Sequence, residues 1–248
     1  MVAPNGARPM KKDHAAVPIT INEIVKTGEA CFEAGAEAIH FHTRNNKGEH
    51  VLDSGLCQET LSELQKKVPK MHLQITTEAI GKYSPQDMRK LAYEVMPPPG
   101  ISIGIREMIP SRSPKSEDIK IYQKLIGAGT KIQHICYEPE DIDLLSNLLT
   151  QCKISKDGVW CMFVIGHYSG KKSDPKKISF FTQKLKENEF NADWAVCAFA
   201  KEEISCLKTA ISLGGKIRVG FENSFFMPDG SVAPNNETKV KAANNLFD

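Results

Sequence analysis

No stretch of this chain approaches the run of about 18 apolar residues that a helix needs to cross a bilayer. The opening Met1-Val2-Ala3-Pro4 cannot serve as the apolar core of a secretory signal. A cytoplasmic protein with no membrane partner is expected. An excess of one charge is also missing: 32 Lys plus Arg stand against 30 Asp plus Glu, a formal net charge of +2. The chain therefore lacks the basic footprint of a nucleic-acid binder, and no nucleic-acid partner is expected. Its densest basic stretch, Lys171, Lys172, Lys176 and Lys177, reads as a solvated loop and helix start. No Cys-x-x-Cys pair occurs among the seven cysteines, and Cys136, Cys161 and Cys197 sit inside apolar stretches. Such cysteines are small buried hydrophobes of a reducing compartment, and none is read as a ligand or nucleophile.

What the chain does have is size and a regular alternation of segments. Its 248 residues, 41% of them hydrophobic, can bury a large core. Short β-branched runs alternate with longer amphipathic segments. Thr20-Ile21-Asn22-Glu23 and Ser84-Pro85-Gln86-Asp87 each put a hydroxyl at the N-cap and a carboxylate three residues on, so both open helices. Strands are expected near 38–42, 72–77, 100–105, 131–137, 159–165, 193–198 and 216–221. Helices are expected near 20–34, 54–68, 84–96, 116–128, 139–151, 174–187, 202–213 and 236–246. The strands lack polar–apolar alternation, as strands of a parallel sheet covered on both faces do. A short first strand at 1–3 completes about eight βα units, which predicts a single-domain (β/α)₈ TIM barrel over residues 1–248. An open, doubly wound sheet is the second reading.

In Ile39-His40-Phe41-His42, residues two apart share a face, so two imidazoles point the same way near the C-terminal end of a strand. Barrel enzymes build their sites at that end. Two satisfied core histidines would give the same pattern, but a pair of neutral imidazoles also suits zinc. The last strand, Arg218-Val219-Gly220-Phe221-Glu222-Asn223, places Arg218 and Glu222 on one face. They read either as a buried ion pair or, with His40 and His42, as the two-His, one-Glu ligand set of a catalytic zinc. Thr76, Thr77 and Glu78 bring hydroxyls and a carboxylate to the same rim, and Ser102 interrupts an apolar strand. A binuclear zinc hydrolase is a rival reading, in which His134 and His167 would join the metal site. His167 with Tyr168, Ser169 and Gly170 also reads as a loop able to meet coenzyme A.

The ordered set of these segments resembles the β-keto acid cleavage enzymes over nearly the whole chain. The resemblance rests on Ala3-Pro4-Asn5-Gly6-Ala7-Arg8, Pro18-Ile19-Thr20, Glu33-Ala34-Gly35-Ala36, Ile39-His40-Phe41-His42, Gln74-Ile75-Thr76-Thr77, Trp194-Ala195-Val196 and Gly214-Gly215-Lys216-Ile217-Arg218-Val219-Gly220-Phe221-Glu222. It implies a zinc-dependent barrel, commonly a homotetramer, that converts a β-keto acid and acetyl-CoA into acetoacetate and a new acyl-CoA. It further implies zinc on His40, His42 and Glu222, a substrate pocket at Thr76 and Ser102, and a catalytic dyad that includes Arg218.

Two departures from the family pattern bear on the reaction. Asn223 stands where the dyad's aspartate is expected, so Glu78 becomes the candidate base, and a metal-binding member without turnover is a further alternative. Ile135 stands where members that take an aminated substrate carry a glutamate, which points to a neutral or partly apolar β-keto acid. Arg8 replaces an acidic position of those members and is a candidate partner for a carboxylate.

Overall fold

The computed structural model describes residues 1–167 and 172–247. Tyr168, Ser169, Gly170 and Lys171, which belong to the expected coenzyme A loop and basic stretch, lie outside the described residues. The strands are β1 (Ala38–Phe41), β2 (His72–Thr76), β3 (Gly100–Gly104), β4 (Lys131–Cys136), β5 (Asp157–Ile165), β6 (Asn191–Ala198) and β7 (Lys216–Ile217). All neighbours are parallel, and the strand order in the sheet follows the sequence from β1 to β7. The helices are α1 (Ile21–Glu33), α2 (Ser54–Lys67), α3 (Pro85–Glu94), α4 (Ile105–Met108), α5 (Ser116–Gly127), α6 (Glu140–Cys152), α7 (Lys177–Glu187), α8 (Glu203–Ser212) and α9 (Asn236–Asn244). The result is a parallel, TIM-barrel-like α/β fold with a curled sheet.

Both expected capping boxes form, at Thr20 with Glu23 and at Ser84 with Asp87. Nothing in the residue pattern marks α4, a single short turn that follows β3 without a loop. β7 is shorter than expected, stopping at Ile217, because Gly220 has a φ of +134° and sits against the backbone of Ala3. A side chain there would overlap the Ala3 carbonyl, so the chain leaves the strand where only glycine fits.

Residues 1–3 form no strand of their own. Val2 instead makes single parallel bridges to Ile39 and to Val219. Its N–H donates to the Ala38 carbonyl at 2.8 Å and its carbonyl accepts from the His40 N–H at 2.8 Å. On the other side the Ala3 N–H donates to the Val219 carbonyl at 2.8 Å. One residue thus links β1 to the segment that follows β7.

Alternate residues of the strands feed two apolar clusters. Ile39, Phe41, Leu73, Ile75, Ile101, Ile103 and Phe163 pack with helix residues such as Leu64, Met88, Leu91 and Leu145. On the other face, Ile135, Met162, Val164, Ala195, Cys197 and Phe199 form a smaller cluster. Burial on both faces explains why the strands read as continuous apolar runs. All seven cysteines are buried and unpaired. Among the described residues, no helix is long and apolar enough to cross a membrane.

Candidate active site

His40 is the third residue of β1 and faces Gln74 of β2 in register. Its Nδ1 donates to Gln74 Oε1 at 2.7 Å, which fixes the ring and leaves Nε2 as a lone pair. His42 lies just past the strand and is held by its backbone. Its N–H donates to Asn5 Oδ1 at 3.1 Å, and Asn5 Nδ2 returns a bond to its carbonyl at 2.9 Å. Glu222 arrives from the turn after Gly220, and its N–H donates to the Ala3 carbonyl at 3.1 Å. Gly6 packs so closely on the Glu222 side chain that a Cβ would overlap Glu222 Cγ.

These three side chains converge. The two Nε2 atoms are 3.0 Å apart, and Glu222 Oε2 lies 3.4 Å from His40 Nε2 and 3.2 Å from His42 Nε2. Three lone-pair donors this close repel one another unless a cation or a proton sits among them. The spacings suit three ligands each about 2 Å from one ion, so the residues fit a divalent transition metal. Among the described residues this is the one such group of His, Cys, Asp or Glu, with all donor atoms within 4.8 Å of one another.

The electrostatics agree. Burial pushes His40 down to about 4 and His42 well below the ordinary imidazole value, so both are neutral imidazoles at pH 7, the form in which a metal can be bound. Burial opposes ionisation of Glu222, but Arg218 Nη2, 2.8 Å from Oε1, and the two imidazoles hold its carboxyl well below the usual range. The ion-pair and ligand readings of Glu222 are therefore compatible, since each uses a different oxygen. Glu78 Oε2 lies 3.6 Å from His42 Nε2, and burial, with Glu222 and Glu107 nearby, pushes it up to about 8.

A cavity of about 40 Å³ opens beside the three donors, walled by His40, Thr76, Ser102, Ile135, Arg218 and Glu222. Ser102 Oγ donates to Thr76 Oγ1 at 3.2 Å. Thr77 is fully buried, its hydroxyl donating to the Ser102 carbonyl at 3.0 Å. Glu78, Glu107, Tyr137, Val164 and Phe199 line both this cavity and an outer one of about 470 Å³, which also carries Arg8, Arg106 and His167. A larger cavity, about 1180 Å³, lies at the other end of the strands among Met1, Lys131, Trp160 and Lys216. None of the three donors lines it, so its size does not make it the candidate site.

Two expected partners stand elsewhere. Asn223 is buried, and among the described residues neither its Oδ1 nor its Nδ2 finds a hydrogen-bond partner, whereas Arg218 donates to Glu222 and, at 3.2 Å, to Cys197 Sγ. His134 stacks on Tyr122 with 5.7 Å between ring centroids, and its Nδ1 contacts the Trp160 carbonyl, apart from the three donors. In the sequence, Asn5, Gly6 and Gln74 figure only within the segments that carry the resemblance, without roles of their own, and Glu107 and Tyr137 are missed. The register of β2 against β1 would have exposed Gln74, while Asn5 and Gly6 act from a loop, Glu107 from the four-residue α4 and Tyr137 from just past β4, where no period marks them.

The family model for beta-keto acid cleavage enzymes matches residues 1–248. The chain is 26% identical over 252 residues to a 3-oxoadipate:acetyl-CoA acetyltransferase of Cupriavidus necator, covering 96% of this chain and 84% of that one. It is 25% identical over 244 residues to a 3-keto-5-aminohexanoate cleavage enzyme of Fusobacterium nucleatum, covering 95% and 86%. Among solved structures, ObcA with oxaloacetate has a similar fold, with a TM-score of 0.75 at 14% identity over 93% of this chain and 63% of that one. A 3-dehydroquinate dehydratase of Geobacillus kaustophilus has a TM-score of 0.62 at 7% identity, covering 99% and 89%. With the match spanning every residue, this chain belongs to the β-keto acid cleavage enzyme family.

Proposed function

We propose that the chain takes a β-keto acid and acetyl-CoA and returns acetoacetate and a new acyl-CoA, with zinc as its metal. The observation that carries this reading is the meeting of His40, His42 and Glu222 beside a cavity walled by paired hydroxyls. The acetyltransferase relative supports acetyl-CoA as the second substrate. In the reaction, the bond between carbons 2 and 3 of the keto acid breaks. Carbon 2 becomes joined to the acetyl carbonyl carbon, and the acyl group that held carbon 3 leaves on the sulfur of coenzyme A.

Zinc, when bound, supplies a Lewis acid that stabilises negative charge developing on the substrate's oxygens. The chain's own residues do the rest. Thr76 and Ser102 offer hydroxyls to the substrate carboxylate, with Thr77 behind them. Glu78, in the ionised form that its raised value of about 8 leaves as a strong carboxylate base, takes the proton from carbon 2, because the amide of Asn223 cannot accept one. Arg218 keeps Glu222 ionised and adds fixed positive charge to the wall. Ile135 itself offers a substrate ammonium no counter-charge, which favours a neutral or partly apolar keto acid. Arg8, in the outer cavity, is suited to a carboxylate. A cytoplasmic homotetramer completes the proposal.

The test incubates zinc-loaded protein and acetyl-CoA with a panel of β-keto acids and measures acetoacetate. Acetoacetate is expected from neutral substrates, and Glu78→Gln is expected to lower the rate by about 10² to 10⁴ and to abolish exchange of the carbon 2 protons. Turnover that needs no coenzyme A would instead identify a hydrolase. No acetoacetate from any member of the panel would overturn the reading, and a preference for the aminated substrate would overturn the role given to Ile135.

A further inference from the structure

Arg44 follows His42 by two residues and is almost completely buried. Its Nη2 donates to the carbonyls of Asn5 at 3.2 Å, Pro9 at 3.1 Å and Gly6, and its Nη1 donates to the Gly48 carbonyl at 2.7 Å. A single guanidinium therefore holds two loops. The first is the N-terminal loop at 5–9, in which Asn5 clamps the His42 backbone, Gly6 packs on Glu222, and Arg8 reaches the outer cavity between two tethered carbonyls. The second is the hairpin closed by the Arg44 to His50 bridge. In that hairpin the His50 ring lies 4.9 Å from the His42 ring, and His50 Nε2 contacts the Glu78 carbonyl at 3.1 Å.

We propose that Arg44 is a positioning residue that sets the metal donors and Arg8 in one shared geometry, an inference that rests on the reading of the site given above. A planar fork with several fixed donors can satisfy four carbonyls from two loops. A lysine offers one rotating ammonium in their place and cannot span them. The residue acts through Asn5, Gly6 and His50, and touches neither metal nor substrate.

The experiment measures zinc affinity of Arg44→Lys by competition with a chromogenic chelator, alongside the melting midpoint and the acetoacetate kinetics. Zinc binding is expected to weaken by about 10 to 100-fold, as loss of outer-shell support does, and KM for the keto acid to rise at least fivefold. The double variant Asn5→Ala with Arg44→Lys is expected to bind zinc no worse than the weaker single variant, because both act on one path. Should Arg44→Lys fail to fold, Arg44→Gln, which keeps a planar donor, carries the same expectations. Zinc affinity and KM within twofold of the parent, whatever the melting point, would overturn the proposal, as would effects that multiply in the double variant. Normal zinc binding without acetoacetate in the parent protein would instead overturn the reaction and leave the metal-affinity comparison standing as the test of Arg44.

Discussion

At position 223 the side chain is buried yet makes no hydrogen bond among the described residues, and an amide stands where the family resemblance leads one to expect an acid. Introducing the acid distinguishes two accounts of proton transfer. With Glu78 as base, Asn223→Asp is expected to leave kcat within about twofold while lowering the melting point, because it buries a carboxylate in a place where the described residues offer the side chain no hydrogen bond. A tenfold gain in kcat would move the base from position 78 to position 223. The donors themselves were readable from the chain: strand period put His40 beside His42, and the strand end set their location. Gln74 and Asn5 were not, since one depends on strand register and the other on a loop folding back across 37 positions to reach His42.

The elements show what local chemistry can announce. Thr20 Oγ1 accepts from the Glu23 N–H, and Glu23 Oε2 accepts from the Ile19 and Thr20 N–H groups while Lys11 pairs with its other oxygen. Partial burial works against ionisation, but the Lys11 contact and these two N–H bonds hold the carboxyl down at about 2. A folded value below the unfolded one means that the ionised form stabilises the fold above pH 4.5 and that this contribution fades as pH falls toward 2. Glu23→Gln is therefore expected to melt a few degrees lower than the parent at pH 7, with the gap closing below pH 4.5. A gap independent of pH in a scanning calorimeter would exclude the charge as its source. Capping was legible because it needs only neighbours in sequence. α4 and the early end of β7 were not, because a four-residue turn has no period and Gly220 is constrained by Ala3, at the far end of the chain.

On the scale of the molecule, the parallel α/β order was visible in the spacing of apolar runs and capped helices. The form of the first strand was not, because pairing by one residue leaves no pattern. Val2 is wholly buried and bridges to both sides. Val2→Pro removes the N–H that meets the Ala38 carbonyl and is expected to cost about 1 to 3 kcal/mol in urea denaturation. An unchanged midpoint would show that the link contributes nothing to stability.

That link also sets an order of events during biosynthesis. The partners of Met1 and Val2 on the far side are Ile217 and Val219, separated from them by more than 210 residues. A nascent chain with its first six strands outside the ribosome still has that far edge unmade. The segment at 1–3 can pair along β1 early, but its other edge stays open until residues 217–219 have been made, so this pairing carries one of the longest sequence separations in the fold and is expected to form late.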